Sequence, residues 1–286
     1  MAHRLRYGGQ AVMEGVMMRG PRAISIAVRR PDQEITVKTE PFISWTRRVR
    51  LLGLPVVRGV VVLIESLALG IGALVYSANE SAESQEEKLS PLDTVLSVGL
   101  AVGLAVLLFV ISPTLLTGLL GRHLSGVFFL NLAEGGVRIG FLLGYIIFIS
   151  RMKEIERVLQ YHGAEHKVIH AHEAGEELTV ASVRKYPVLH PRCGTSFLLF
   201  VAVVSVFLFA FFGWPGLWQR VVIRVLTAPV LAGLAYEAIR LSGSSTTWLV
   251  RILVWPGLLL QRLTTREPDD SQLEVAIKAL EGVLEN

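Results

Sequence analysis

The sequence predicts an α-helical integral membrane protein carrying a soluble, histidine-rich cap. Three observations point there. The 286 residues are 52% hydrophobic and only 18% charged, where a soluble domain carries about 25% charged residues; mean hydropathy is +0.52. Apolar stretches long enough to cross a bilayer at about 1.5 Å rise per residue recur along the chain. Five of the seven histidines and the single cysteine crowd into Tyr161–Cys193.

Residues 1–50 read as a cytoplasmic N-terminal β segment. They carry ten Lys/Arg against four Asp/Glu, a bias that beside apolar spans fits anionic lipid better than nucleic acid. Met1–Gln10 is polar and no apolar core follows, so no cleavable signal peptide is expected. Within 7–20, four glycines surround one acid, Glu14, which reads as a loop able to carry Glu14 and Arg19 to the histidine cluster. Residues 23–30 and 34–40 alternate around Pro31-Asp32-Gln33, the pattern of a β hairpin.

Residues 51–92 read as an amphipathic or re-entrant helix and a polar linker, because Pro55, Arg58 and Glu65 interrupt the apolar run 51–78. Four firm transmembrane helices follow: 93–119, kinked at Pro113, and 126–150, with Glu134 and Arg138 one turn apart, form one hairpin; 196–214 and 217–241 form a second. Arg220, Arg224, Glu237 and Arg240 sit near the ends of the last, as snorkelling side chains do. Residues 248–263, with Trp248, Arg251 and Pro256, read as an interfacial segment. Residues 264–286 read as a cytoplasmic amphipathic helix, capped by Ser271 and Glu274, whose face is Leu273, Ala276, Ile277, Leu280 and Leu284.

The 151–195 loop holds the chemistry. It carries seven Lys/Arg between 151 and 192, which places it, like the basic N-terminus, in the cytoplasm. Two crossings separate the two, so the 51–78 helix is expected not to cross, and the external loops at 120–125 and near 215 are short. On a helix, His162, His166, His170 and Glu173 share one narrow arc, with Glu165 beside it. Histidines one turn apart make a bidentate site for a divalent metal, most naturally zinc. His190 and Cys193 offer further ligands, and Glu165 is a candidate general base.

The strings GGQAVMEGVMMRG, YHGAEHKVIHAHE, HPRCGTSFL and QRLTTREPDDSQLEVAI resemble the YqhQ-like family of bacterial membrane proteins. The resemblance runs along the whole chain. It implies a bacterial inner-membrane protein and metal-dependent enzyme of unknown substrate, with His162, Glu165, His166, His190 and Cys193 as the implied positions. H-x-x-E-H also occurs in inverzincin peptidases, but nothing else in the chain resembles them.

The expected activity is therefore metal-dependent hydrolysis at the membrane–cytoplasm interface, with membrane lipid and a lipid-linked or membrane-embedded substrate as partners. A homo-oligomer is left open. The alternatives are a scaffold or regulator with a structural metal site, and a small-solute transporter in which Glu134, Arg138, Arg220 and Arg224 line a path.

Overall fold

The computed structural model describes residues 7–120, 126–210, 212–213, 215–242 and 248–285. The chain begins with a four-stranded antiparallel sheet of order β1 (Gly8–Val12), β2 (Gly15–Arg19), β3 (Ala23–Arg29) and β4 (Ile35–Pro41). A short α1 (Trp45–Arg48) leads to α2 (Val57–Glu80). Next, α3 (Pro91–Val106) continues through a π-helical turn at Leu107–Ile111 into α4 (Ser112–Leu120). Then come α5 (Val127–Ile149), α6 (Lys153–Ala174), α7 (Val180–Val183), α8 (Thr195–Ala210), α9 (Leu217–Ser242), α10 (Trp248–Thr264) and α11 (Asp270–Leu284).

The hairpin at Pro31-Asp32-Gln33 forms as β3 and β4. The glycine-rich stretch before it, expected to be an irregular loop, is a second hairpin, β1–β2, turning at Met13 and Glu14. Glu14 takes a left-handed φ of 48° there. Gly15 follows because a Cβ would stand 2.2 Å from the Ala27 carbonyl oxygen.

Strand alternation splits the sheet's apolar side chains between two partners. Val16, Met18, Ala23 and Ala27 pack with Tyr161, Ala164 and Val168 of α6 and with Leu273, Ala276 and Leu280 of α11. Val12, Met17, Ile26 and Val28 face Ala73 of α2. The sheet is thus a middle layer, with α6 and α11 on one side and the second half of α2 on the other. The C-terminal helix does dock on the chain's own soluble elements. Its cap lies two residues earlier than the sequence reading placed it: Asp269 accepts from Gln272 N–H at 2.9 Å and the Gln272 side chain accepts from Asp269 N–H at 3.0 Å.

Among the described residues, four helical segments are long and apolar enough to cross a membrane: Val57–Glu80, Pro91–Leu119, Val127–Ile149 and Leu217–Ala238. Three of them lie on the expected spans 93–119, 126–150 and 217–241, and the other is the stretch expected not to cross. The stretch after Pro55 forms one unbroken 24-residue helix, because Pro55 precedes the helix instead of interrupting it. Within the expected span 196–214 the described residues form α8, of which Phe197–Phe209 is an apolar helix. The interfacial segment is one continuous helix, α10. Residues 121–125 of the external loop expected at 120–125, and the side chains of Trp248 and Arg251, lie outside the described residues.

Pro113 explains the π-turn before it. Proline offers no N–H and clashes with the carbonyl four residues back. That carbonyl, Phe109 O, accepts instead from Arg138 Nε at 3.1 Å. Arg138, Arg220 and Arg224 all converge on the buried Glu134. Those four residues form one ion-pair cluster, beside a recess of only about 10 Å³. Elsewhere α2 and α9 meet through glycines: a Cβ at 59 would stand 2.8 Å from Gly233 Cα.

Candidate functional site

The site is built on α6, which leaves the last turn of α5 and runs along the sheet. Its sequence YHGAEHKVIHAH places His162 and His166 one turn apart, and Gly163 between them admits a neighbouring chain. A Cβ at 163 would stand 2.0 Å from the Arg266 carbonyl oxygen, so the segment joining α10 to α11 runs hard against α6. It is held there by Arg266 N–H, which donates to Leu159 O at 2.9 Å.

That close approach brings Thr264 O within 2.7 Å of His162 Nδ1. Val188 O lies 2.5 Å from His166 Nδ1. A carbonyl only accepts, so each Nδ1 carries the proton and donates, and each Nε2 keeps its lone pair. Backbone carbonyls orient metal-bound imidazoles in the same way. His162 Nε2 stands 3.1 Å from Cys193 Sγ. His166 Nε2 is buried without a hydrogen-bond partner. The donor atoms of His162, His166 and Cys193 all lie within 4.8 Å of one another.

Cys193 comes from a tight turn. Its N–H donates to His190 O at 3.2 Å, with Pro191 fixing the turn between. Gln261 of α10 clamps the turn from outside: His190 N–H donates to Gln261 Oε1, and Gln261 Nε2 to His190 O, both at 2.8 Å. Thr195, the first residue of α8, donates its N–H to Cys193 Sγ at 3.4 Å.

The other expected ligands are arranged differently. His170 sets Nε2 against Leu189 O at 3.0 Å, so it secures the loop. His190 Nδ1 accepts from Arg192 N–H at 3.3 Å. Its proton is therefore on Nε2, which lies 3.8 Å from Glu173 and outside the three-donor group. Burial first, then the neighbouring His170, His166 and Arg192, push the His190 pKa down to about 2. Glu173 pairs with Arg192.

Glu165 lies beside the histidines on α6. Its Oε1 accepts from Gly9 N–H at 2.9 Å. Burial raises its pKa above the usual carboxylate range, while His162 and that N–H pull it down. Gly9 allows the approach: a Cβ there would meet Glu165 Cδ at 3.0 Å and Met17 O at 2.5 Å. The carboxylate shares a cleft of about 820 Å³ with His162, His166 and Cys193, between the sheet, α2, α6 and α9. Glu14 does not reach the histidines. It pairs with Arg157 and accepts from Tyr161 Oη at 3.3 Å, while Arg19 lines the cleft and pairs with Glu65 at 2.8 Å.

Val188, Gly9, Gln261 and Thr264 escape the sequence reading. Three act through backbone groups, which no residue pattern marks, and Gln261 lies far away in an apolar helix.

The chain thus combines helices long and apolar enough to cross a membrane with a four-stranded sheet and a group of two histidines and a cysteine, as a membrane protein of helical class would. Residues 54–286 match the family model described as a protein of unknown function, DUF1385, and the chain belongs to that family. It is 37% identical over 297 residues to the uncharacterized protein YqhQ of Bacillus subtilis (strain 168), covering 97% of this chain and 92% of that one. No solved structure matches it.

Proposed function

We propose that the chain is a zinc-dependent hydrolase acting at the membrane–cytoplasm interface on a lipid-linked or membrane-embedded substrate. The observation that carries this reading is the pair of fixed tautomers. Two Nδ1–H groups are spent on carbonyls, so two Nε2 lone pairs converge with Cys193 Sγ. Two nitrogens and a sulfur suit zinc, and three protein donors leave a fourth tetrahedral position for water or substrate. A structural site would close that position with a fourth ligand, and His190, whose Nε2 is buried without a hydrogen bond among the described residues, lies outside the three-donor group.

A zinc ion on these donors supplies a Lewis acid and a water of lowered pKa. With the ion bound, Glu165, held at Oε1 by Gly9, would be the group to take a proton from the attacking water and pass it to the leaving group. Burial favours the protonated carboxyl, as that second role requires.

The setting is the bacterial inner membrane, with both ends of the chain cytoplasmic. α3 buries none of its residues, and Leu92, Val95, Leu96 and Leu100 are exposed without protein cover, as lipid-facing side chains are. α2 lies along the cytoplasmic surface without crossing. Supporting this, both Glu65 and Ser77 of α2 bind the sheet, through Arg19 and through Met13 N–H at 3.2 Å. Elemental analysis of protein purified without chelator tests the metal: about one zinc per chain is expected in wild type, and little in His166→Ala. Absence of metal from wild type overturns the reading.

A further inference from the structure

We propose that the cleft takes an amphiphile bearing a phosphate headgroup, gripped by Arg47 and Arg240 at the mouth. The inference rests on the reading of this cleft as the reaction site and names its substrate class.

Four arginines line the cleft, Arg19, Arg47, Arg192 and Arg240, against one carboxylate, Glu165. Arg19 and Arg192 are neutralised by Glu65 and Glu173. Arg47 is exposed and donates only to Pro21 O, at 3.2 Å. Arg240 is also exposed, and neither forms an ion pair among the described residues. Glu237, one turn before Arg240, is hydrogen-bonded by Arg58, and Arg240 lies near enough to attract it without forming an ion pair among the described residues. Two guanidinium forks with open N–H donors match the oxygens of a phosphate in geometry as well as charge.

The rest of the cleft suits the remainder of such a molecule. Val62 and Leu69 of α2 give it an apolar wall. Arg47 stands in a segment with the composition of a membrane-surface anchor: Trp45, Leu51 and Leu54 are at least half exposed, beside Arg48 and Arg50. The mouth therefore lies at the depth where headgroups lie. The phosphate would rest between the arginines with its chain along α2, and the scissile group would face His162, His166 and Cys193.

The test is equilibrium binding to the full chain in dodecyl maltoside, after chelator treatment and again after zinc loading. The probes are dioctanoyl phosphatidic acid, dioctanoylglycerol and inorganic phosphate. Wild type should prefer the phosphatidic acid over the glycerol lipid by about 10-fold or more, as charge-assisted hydrogen bonds allow. The double variant Arg47→Gln/Arg240→Gln should lose that preference with zinc content unchanged. Equal binding of the two lipids by wild type, or a preference retained in a folded double variant, overturns the proposal. Inorganic phosphate binding as tightly as the lipid overturns its amphiphile part. A preference present in protein that never holds zinc keeps this site and removes the hydrolase reading, so the two fail separately.

Discussion

The backbone N–H of Gly9 donates to Oε1 of Glu165 at 2.9 Å, joining the first strand to the histidine helix across 156 positions. One oxygen of the carboxylate is thereby held and the other is left for chemistry. Glu165→Gln preserves an oxygen for Gly9 but accepts no proton at neutral pH. It should keep metal and fold while activity on a phosphate-bearing lipid falls about 10²- to 10⁴-fold. Parallel metal analysis and turnover check this, and loss of metal instead would make Glu165 a supporting group for the centre.

The three-donor set separates histidines that the helical arc groups together. His162→Ala and Cys193→Ser should reduce bound zinc to less than about a tenth of wild type after dialysis. His170→Gln, which removes a bond to the Leu189 carbonyl, should retain zinc. Equal loss in all three would mean that His170 is a ligand.

Gly163 tests the orientation of His162 without touching a donor atom. The alanine methyl would collide with Arg266 O and push Thr264 O away from Nδ1. Zinc affinity of Gly163→Ala should drop about 10- to 100-fold, as for other lost orienting partners. A competition titration against a chelating dye reads this directly.

His190 makes the metal-free protein acid-sensitive. Its folded pKa, about 2, lies below an unfolded value of about 6.5. Between the two, the unfolded chain binds the extra proton, so this contribution to stability is complete above about pH 6.5 and is lost as pH falls toward 2. Glu165 acts oppositely: its raised pKa means stability is lost as pH rises above the ordinary carboxylate range. Chelator-treated His190→Gln should therefore lose less Tm than wild type between pH 7 and pH 5. Thermal unfolding in detergent measures both slopes.

Glu134 pairs with Arg138, Arg220 and Arg224. It also accepts from Thr114 Oγ1 at 2.7 Å. Glu134→Gln leaves buried cations without their counter-charge, at about 3–5 kcal/mol. Its Tm and monodisperse yield should fall sharply, and Arg224→Gln in the same chain should restore part of both.

How much of this could be read beforehand depended on the range of the interaction. The face of α11 was legible because Leu273, Ala276, Ile277 and Leu280 repeat at helical spacing, and all four are buried. Its cap was misplaced because Asp269-x-x-Gln272 and Ser271-x-x-Glu274 overlap and both satisfy the capping pattern. Glycine density hid β1 and β2, although Val16 and Met18 face one way and Met17 the other. Helical geometry grouped His162, His166 and His170, but only carbonyls from residues 188, 189 and 264 decide which nitrogen of each ring is free. Those contacts depend on tertiary folding and leave no periodic trace.

The layer that covers the sheet has a consequence for the order of synthesis. β2 and β3 leave the ribosome first, yet α11, which covers Val16, Met18 and Ala27, is translated after every apolar helix. The nascent sheet waits with that surface bare until the apolar helices between them have been made. Thr264, which orients His162, is also late. The group of His162, His166 and Cys193 is thus complete only after α10 has been made and has brought Thr264 against α6.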